Sequence, residues 1–310
     1  MKMNKCIIIG GCNIDIIGKC NNDLLRYDSN IGEVNITYGG VGRNIAENMT
    51  KLDIDIYFKT NFSNDSFGKL LYEKCLNDKF DLKYSKIIND ARTSIYLAIL
   101  DNNYDLDVGI NDMDILKYMT KSEIKEAVDS FGEDDYVVFD TNLDVDLIDY
   151  ILVNKHYKTC CDPISINKIH KIKDYIKYID IFKPNLFEAN ALSNYDNNLK
   201  SIQFLVNEGC INPIITLNRE GVLYYNKGKY IRKYITSKIE IINATGAGDS
   251  FFATYISYLI KGYSIDDSID YALLASILTL SNESSVAPNL SSDKLEEIKK
   301  LYNIEKETLC

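Results

Sequence analysis

Short, wholly apolar runs alternate with amphipathic stretches along most of this chain, and that alternation limits the fold more than any other feature. Cys6–Gly10 (CIIIG), Tyr136–Phe139 (YVVF), Asp180–Lys183 (DIFK) and Pro213–Leu217 (PIITL) read as strands buried on both faces. Between them, Val41–Leu52, Phe67–Asn77, Leu143–Asn154, Leu186–Leu192 and Leu199–Glu208 carry a helical period. Strand, helix, strand repeated this often predicts an α/β fold, a mostly parallel central sheet with helices on both faces. Toward the C-terminus the pattern changes to two successive helices, Gly248–Ile260 and Ile265–Leu280, the first stopped near Gly262.

Two segments break the alternation. Glu33–Tyr38 and Thr93–Leu100 read as strands without intervening helices, and Tyr104–Ile110 follows the second across Asp101–Asn103. These pieces predict a small antiparallel β lid, from about 13–40 and 92–112, on a single domain spanning 1–310. The lid's free strand edges invite pairing between two subunits, a homodimer.

Composition narrows the partners. The chain has 310 residues, 46% of them apolar, enough for a sizeable core. Its net charge of -10 argues against a nucleic-acid or anionic-membrane surface. Eight cysteines occur without a CxxC pair and with only two histidines, which argues against a structural zinc site and for a reducing, cytoplasmic setting. No apolar stretch approaches the roughly 20 residues that span a bilayer.

The motif richest in chemistry is Asn243-Ala-Thr-Gly-Ala-Gly-Asp249, leading directly into the apolar run Ser250–Ile260. Gly246, Ala247 and Gly248 let a ligand approach the free N–H groups of a helix start, where the helix dipole favours negative charge. A carboxylate in that turn repels an anion, so Asp249 makes sense as a base that takes a proton from an attacking hydroxyl while the amides hold a transferring phosphoryl group. The plainer reading is a capped helix. Asn13 and Asp15 fit either an Asx-turn or a pair of polar groups for sugar hydroxyls. Asn185 and Glu188 are three apart, hence on one face of a helix, solvated or functional. No GxxxxGK[ST] loop occurs.

These pieces, in this order, resemble the ribokinase-like (PfkB-type) carbohydrate kinases over essentially the whole chain. The GAGD helix start resembles that family's C-terminal signature, and Tyr38-Gly-Gly-Val-Gly-Arg-Asn44 its first one. Gly11-Cys-Asn-Ile-Asp15 resembles its sugar-binding turn, and Lys183-Pro-Asn-Leu-Phe-Glu188 its Asn-x-x-Glu motif, which orders Mg2+ and phosphates. Thr216-Leu-Asn-Arg-Glu-Gly221 resembles its nucleotide loop, and Asn282 a residue beside the adenine. The resemblance implies an ATP-dependent kinase. Asp249 would be the base over the Gly246–Gly248 anion hole. Asn185, Thr216, Gly221, Gly246, Gly248 and Asn282 would bind ATP, and Glu188 with Asn185 would order the metal. Asn13, Asp15, Gly40, Arg43 and Asn44 would hold the sugar. Two positions depart from the family pattern. Asn243 replaces the usual Asp, which removes a carboxylate from the monovalent-cation (K+) site, and Asn218 replaces a loop glycine, although Asn tolerates positive φ best among the other residues.

Within the family, Asp28-Ser-Asn-x-Gly32, Gly39–Ala46, Ile110–Met113 and Asp162-Pro-x-Ser-x-x-Lys168 resemble the pseudouridine kinases more than the ribokinases. That implies a nucleoside substrate phosphorylated at its 5'-hydroxyl, with Asp112 and Lys168 as candidate contacts. The alternatives are a kinase for ribose, fructose or adenosine, and a non-catalytic nucleotide- or sugar-binding sensor.

Overall fold

The computed structural model describes residues 4–102 and 106–309. Its first strand, β1 (Cys6–Ile9), has four consecutive buried side chains and so lies inside a sheet covered on both faces. The chain leaves the body as β2 (Asn13–Cys20) and β3 (Gly32–Gly39), then returns through helix α1 (Val41–Lys51). β4 (Ile56–Lys59), β5 (Asn61–Ser63), α2 (Ser66–Asn77) and β6 (Lys86–Ile88) precede a second excursion, β7 (Ile95–Leu100) and β8 (Leu106–Asp112). Strict alternation then resumes with α3 (Lys121–Val128), β9 (Tyr136–Asp140), α4 (Val145–Val153) and β10 (Lys158–Asp162). It continues with α5 (Ile166–Ile169), β11 (Ile181–Phe182), α6 (Leu186–Ser193), α7 (Asn198–Asn207) and β12 (Asn212–Thr216). The last third adds β13 (Val222–Asn226), β14 (Lys229–Ile235), α8 (Ala247–Ile260), α9 (Ile265–Leu280), α10 (Ser292–Lys299) and β15 (Ile304–Leu309).

Nine strands form one sheet in the order β15-β14-β13-β12-β11-β10-β9-β1-β4. From β4 to β12 all pairings are parallel; β13, β14 and β15 extend it antiparallel. Because successive side chains of a strand point to opposite faces, Cys6 and Ile8 enter one core while Ile7 and Ile9 enter the other. The first core also holds Ile45 of α1 and Tyr255 of α8, and the second Ile148 of α4 and Leu205 of α7, so helices cover both faces as expected.

A separate four-stranded sheet, β3-β2-β7-β8, is built from the two excursions. It is mixed rather than purely antiparallel, since β2 and β7 run parallel. Its register places Val34, Ile36, Ile16, Leu97, Ile99, Val108 and Ile110 on one face. Four of these are well exposed: Val34 68%, Ile36 56%, Val108 42% and Ile110 57%.

Sequence and structure differ at two further places. The strand anticipated at Asp180–Lys183 is Ile181–Phe182 alone, although the flanking Asp180 and Lys183 N–H groups still bond to the Thr159 and Cys161 carbonyls at 3.1 Å each. The β13–β14 hairpin and the late strand β15 were not anticipated. Of the lid strand expected at Tyr104–Ile110, Tyr104 and Asp105 lie outside the described residues, as does Asn103 of the turn before it.

Candidate active site

Ligands of open parallel sheets bind outside the carboxyl ends of the strands. At that edge lie the loops after β1, β9, β10, β11 and β12, and the start of α8 faces them. Gly246 precedes the helix in the left-handed region (φ 82), and a Cβ there would meet the Ser285 carbonyl oxygen at 1.9 Å, so no other residue fits. The first-turn amides after it have no acceptor within their own helix, as required of an anion-binding helix start.

Asp249 sits in that first turn and accepts a 2.8 Å hydrogen bond from the Asn44 amide. This bond joins the two signatures that sequence spacing leaves two hundred residues apart. Burial pushes the Asp249 carboxyl up to about 7, with the nearby Asp162 charge adding to it; Asn44 and the Lys183 ammonium pull the other way. Lys183 is buried and ion-paired to Asp162 at 2.9 Å, and a Cβ on Gly248 would come within 3.3 Å of its Nζ. The cation therefore borders the helix start. Burial alone would lower the Lys183 pKa, but Asp162 outweighs it and holds the ammonium above its ordinary range. Neither Asp162 nor Lys183 was singled out for this role from the sequence. What could have found them is that each stands at the C-terminal end of a buried strand, where an apolar run has no packing reason to finish on a charge.

Asn13 and Asp15 are the first and third residues of β2, so they share a face instead of forming an Asx-turn, and the Asn13 amide donates to Asp15 at 2.5 Å. Burial raises the Asp15 pKa, offset in part by Asn13 and Arg43. Two glycines accommodate this pair. A Cβ on Gly39 would lie 2.3 Å from the Asp15 carboxylate, and Gly40 (φ 101) would meet the Gly11 carbonyl at 2.5 Å. Arg43, expected at the substrate, is buried behind this turn instead. Its guanidinium donates to the Gly39 and Tyr38 carbonyls at 3.2 and 2.9 Å, to Asn44 Oδ1 at 2.5 Å and to Glu47 at 2.6 Å. Four of its five N–H groups are engaged in these bonds, so it holds the turn and aims Asn44.

On the far side of α8, Asn185 and Glu188 form a reciprocal cap on α6. Asn185 Oδ1 accepts the Glu188 N–H at 3.0 Å, and Glu188 Oε2 accepts the Asn185 N–H at 2.8 Å. Burial, then the Asp162 charge, pushes the Glu188 carboxyl up to about 7. Asn185 pairs with Thr216 in an isolated bridge, and the Thr216 N–H donates to the Pro184 carbonyl at 3.1 Å. The loop that follows closes through Leu217 N–H to the Gly221 carbonyl at 2.8 Å, and Asn218 adopts the left-handed region (φ 53) that a glycine would otherwise supply. Asn282, past the end of α9, donates to the Leu278 carbonyl at 2.6 Å. The Asn243 amide donates to the Glu283 carbonyl at 2.7 Å and accepts the Thr245 N–H at 2.9 Å.

Two candidates stand apart from this cluster. Asp112 closes β8 and pairs with the exposed Arg92 at 3.2 Å; no bond joins it to Asp249. Lys168 on α5 donates to Asn142 Oδ1 at 2.5 Å, and burial lowers its pKa against the pull of Asp140.

No group of three or more His, Cys, Asp or Glu side chains among the described residues could hold a metal unaided. Of the pair expected to order Mg2+, Glu188 supplies the carboxylate and Asn185 an amide oxygen, a sparse donor set that would suit an ion arriving with a nucleotide and keeping most of its water. The arrangement as a whole can hold a phosphoryl group at a helix start and accept a proton beside it.

The sequence pattern of the pfkB family carbohydrate kinases matches residues 3–292. Pseudouridine kinase of Escherichia coli (strain K12) is 30% identical over 291 residues, covering 92% of this chain and 93% of that protein. A carbohydrate kinase from Agrobacterium tumefaciens superposes with a TM-score of 0.84 at 24% identity, covering 99% of this chain and 100% of that one. The Arabidopsis thaliana ribokinase complexed with ribose and ATP superposes at 0.80 and 19% identity, covering 96% and 99%, a likeness of fold alone. With the Asp249 helix start and the glycine turn both in place, the chain belongs to the pfkB family of carbohydrate kinases and is a phosphotransferase acting on an alcohol group of a sugar or nucleoside.

Proposed function

We propose that the protein transfers the γ-phosphoryl group of ATP to the 5'-hydroxyl of pseudouridine, giving pseudouridine 5'-phosphate and ADP. The observation that carries the reading is the 2.8 Å bond between Asn44 and Asp249, which brings the substrate turn to the base. The nucleoside lies under the lid, its ribose hydroxyls on Asn13, Asp15, Gly40 and Asn44. Asp249 takes the proton of the 5'-hydroxyl as its oxygen bonds to the γ-phosphorus and the bond to the β-phosphate oxygen breaks. The first-turn amides from Gly246 to Asp249, with Lys183 beside them, stabilise charge on the phosphoryl oxygens. ATP lies along Asn185, Thr216–Gly221 and Asn282. Glu188 and Asn185 would order a Mg2+ ion bound with the triphosphate, and that ion would offset part of the triphosphate charge. The choice of pseudouridine is supported by the 30% identical relative of that name and by the runs Asp28–Ala46, Ile110–Met113 and Asp162–Lys168.

Three further points belong to this reading. The Asn243 amide, donating to a carbonyl, presents no carboxylate to a monovalent cation, so K+ activation is weak. The apolar face and open edges of the lid support pairing with a second copy of the chain. Seven buried free cysteines among the described residues, and no helix there long and apolar enough to cross a membrane, are consistent with a cytoplasmic setting.

A coupled ADP-release assay over a panel of free sugars and nucleosides tests the substrate. A site that pairs with the extra ring N–H of pseudouridine leaves a polar group unsatisfied with uridine, so kcat/KM for pseudouridine exceeds that for uridine, ribose, fructose and adenosine by at least about 10-fold. A win for ribose, fructose or adenosine overturns the substrate and leaves the kinase. ADP release by no compound favours a binding sensor.

A further inference from the structure

The mechanism above leaves one buried carboxylate without a role. Asp140 ends β9, is 1% exposed, and lies beneath the loop that carries Asn13 and Asp15. Its Oδ2 accepts the Gly11 N–H at 2.7 Å, and its Oδ1 accepts the Asn142 N–H at 2.9 Å. The approach is close enough that a Cβ on Gly10 would lie 2.2 Å from Oδ2, and one on Gly11 would lie 2.7 Å from the Asn142 amide nitrogen. Both glycines are therefore there to admit side chains of the neighbouring strand end.

The platform under Asp140 is fixed. Thr141 Oγ1 donates to the Pro163 carbonyl at 2.5 Å, and the Lys171 ammonium donates to the Thr141 and Leu143 carbonyls at 2.9 and 2.8 Å. The segment above it is a hub. Gly11 donates its N–H to Asp140 while its carbonyl accepts the Arg43 N–H at 3.0 Å, at the start of the helix that aims Asn44 at Asp249. One residue, Gly11, thus connects Asp140 to both halves of the acceptor-binding turn.

We propose that Asp140 is a positioning residue for the acceptor substrate: its ionised carboxylate clamps the Gly10–Asn13 loop and so places Asn13, Asp15 and Asn44 against the sugar hydroxyls. The inference rests on the reading above that this turn binds the acceptor. One N–H is aimed at each carboxyl oxygen, an arrangement that suits a carboxylate, whereas protonation turns one of the two oxygens into an O–H donor and weak acceptor facing an N–H. The charged groups around Asp140 are Asp162 from β10, Lys168 from α5 with Lys171 beyond it, and Asp249 from α8. Burial pushes the Asp140 carboxyl up to about 6, against the two backbone donors and Lys168. The clamp is therefore complete above that value and opens as pH falls through it.

Calorimetric titration tests this in an Asp249→Asn background, which removes turnover and the titration of the base. Pseudouridine and D-ribose serve as acceptor probes and a non-hydrolysable ATP analogue as the control. In the parent, acceptor Kd rises about 10-fold from pH 8 to pH 5, the worth of one charged hydrogen bond. Adding Asp140→Asn gives the weakened value already at pH 8 and flattens the profile, while analogue Kd changes less than about 3-fold. Gly10→Ala, which displaces the carboxylate without removing it, weakens acceptor binding at pH 8 with the same selectivity, and either variant decides the matter if the other fails to fold. Equal loss of acceptor and analogue affinity, or no loss, overturns the clamp. A pH profile unchanged by Asp140→Asn assigns the titration to Asp15 and overturns it as well. Absence of acceptor binding in the parent at pH 8 overturns the site reading itself and the clamp with it.

Discussion

In the proposed mechanism Asp249 is the base, and burial makes it hard to ionise, which suits a group that must take up a proton near neutrality. Replacing it with Asn should leave ATP affinity intact and reduce kcat by about 100- to 10,000-fold, the usual worth of a general base; steady-state kinetics with retention of more than a tenth of kcat would reduce Asp249 to a helix cap. The raised pKa also fixes a sign. A carboxyl whose folded value, about 7, lies above its unfolded 3.8 stabilises the fold below the unfolded value, and that contribution is lost as pH rises through 7. Asp249→Asn should therefore melt higher than the parent at pH 8 and no higher at pH 4, which scanning calorimetry at the two pH values reads directly. Asp249 and Asn44 were legible in the sequence because each sits in a compact local motif. Asp162, Lys183 and Asp140 were not. Asp162 and Lys183 open motifs quoted for other reasons, Asp140 is a lone polar residue at a strand end, and the meeting of all three depends on the neighbour order β11-β10-β9-β1, which no local pattern encodes. The direction of the Arg43 side chain was not legible for the converse reason: the motif put it beside the glycine pair but could not say that it turns back onto the Gly39 and Tyr38 carbonyls.

At the scale of elements, the loops before α8 and after α9 act as one unit. Ile242 and Asn243 donate their N–H groups to the Leu280 carbonyl, Asn243 reaches Glu283, and Ser285 closes over Gly246. Asn243→Asp replaces a donor with a charge, so it should repel the Glu283 carbonyl unless a cation sits between them. Potassium should stimulate kcat/KM of this variant at least about 3-fold more than the parent, with choline holding ionic strength constant. Strong potassium dependence in the unmodified protein would refute the argument. The parallel half of the sheet could be read from apolar runs because strands covered on both faces cannot alternate. The β13–β14 hairpin escaped that reading. Its two-residue turn is Lys227-Gly228, both at positive φ (48 and 81), a conformation usually announced by Asn-Gly or Asp-Gly.

For the molecule as a whole, the feature with the widest consequence is the lid. Seven apolar side chains on one face of a small sheet, with Val34, Ile36, Val108 and Ile110 well exposed, form a surface that a monomer rarely leaves bare. Val34→Glu with Ile36→Glu should shift the protein from dimer to monomer in sedimentation velocity and raise acceptor KM about 3- to 10-fold, because a lid held less firmly closes less often. A parent that sediments as a monomer at tens of micromolar would dismiss the dimer.

The order of the nine-stranded sheet carries a consequence for how the protein is made. β14 pairs with β15, which leaves the ribosome roughly seventy residues later. At about 5–20 residues per second, β14 waits several seconds with a row of unsatisfied amides and carbonyls facing outward. During that interval the nascent chain is most exposed to pairing with a neighbour on the same message. Slow codons between Ile235 and Ile304 should lower soluble yield, whereas the same number placed before Lys229, which do not lengthen the wait of β14, should not.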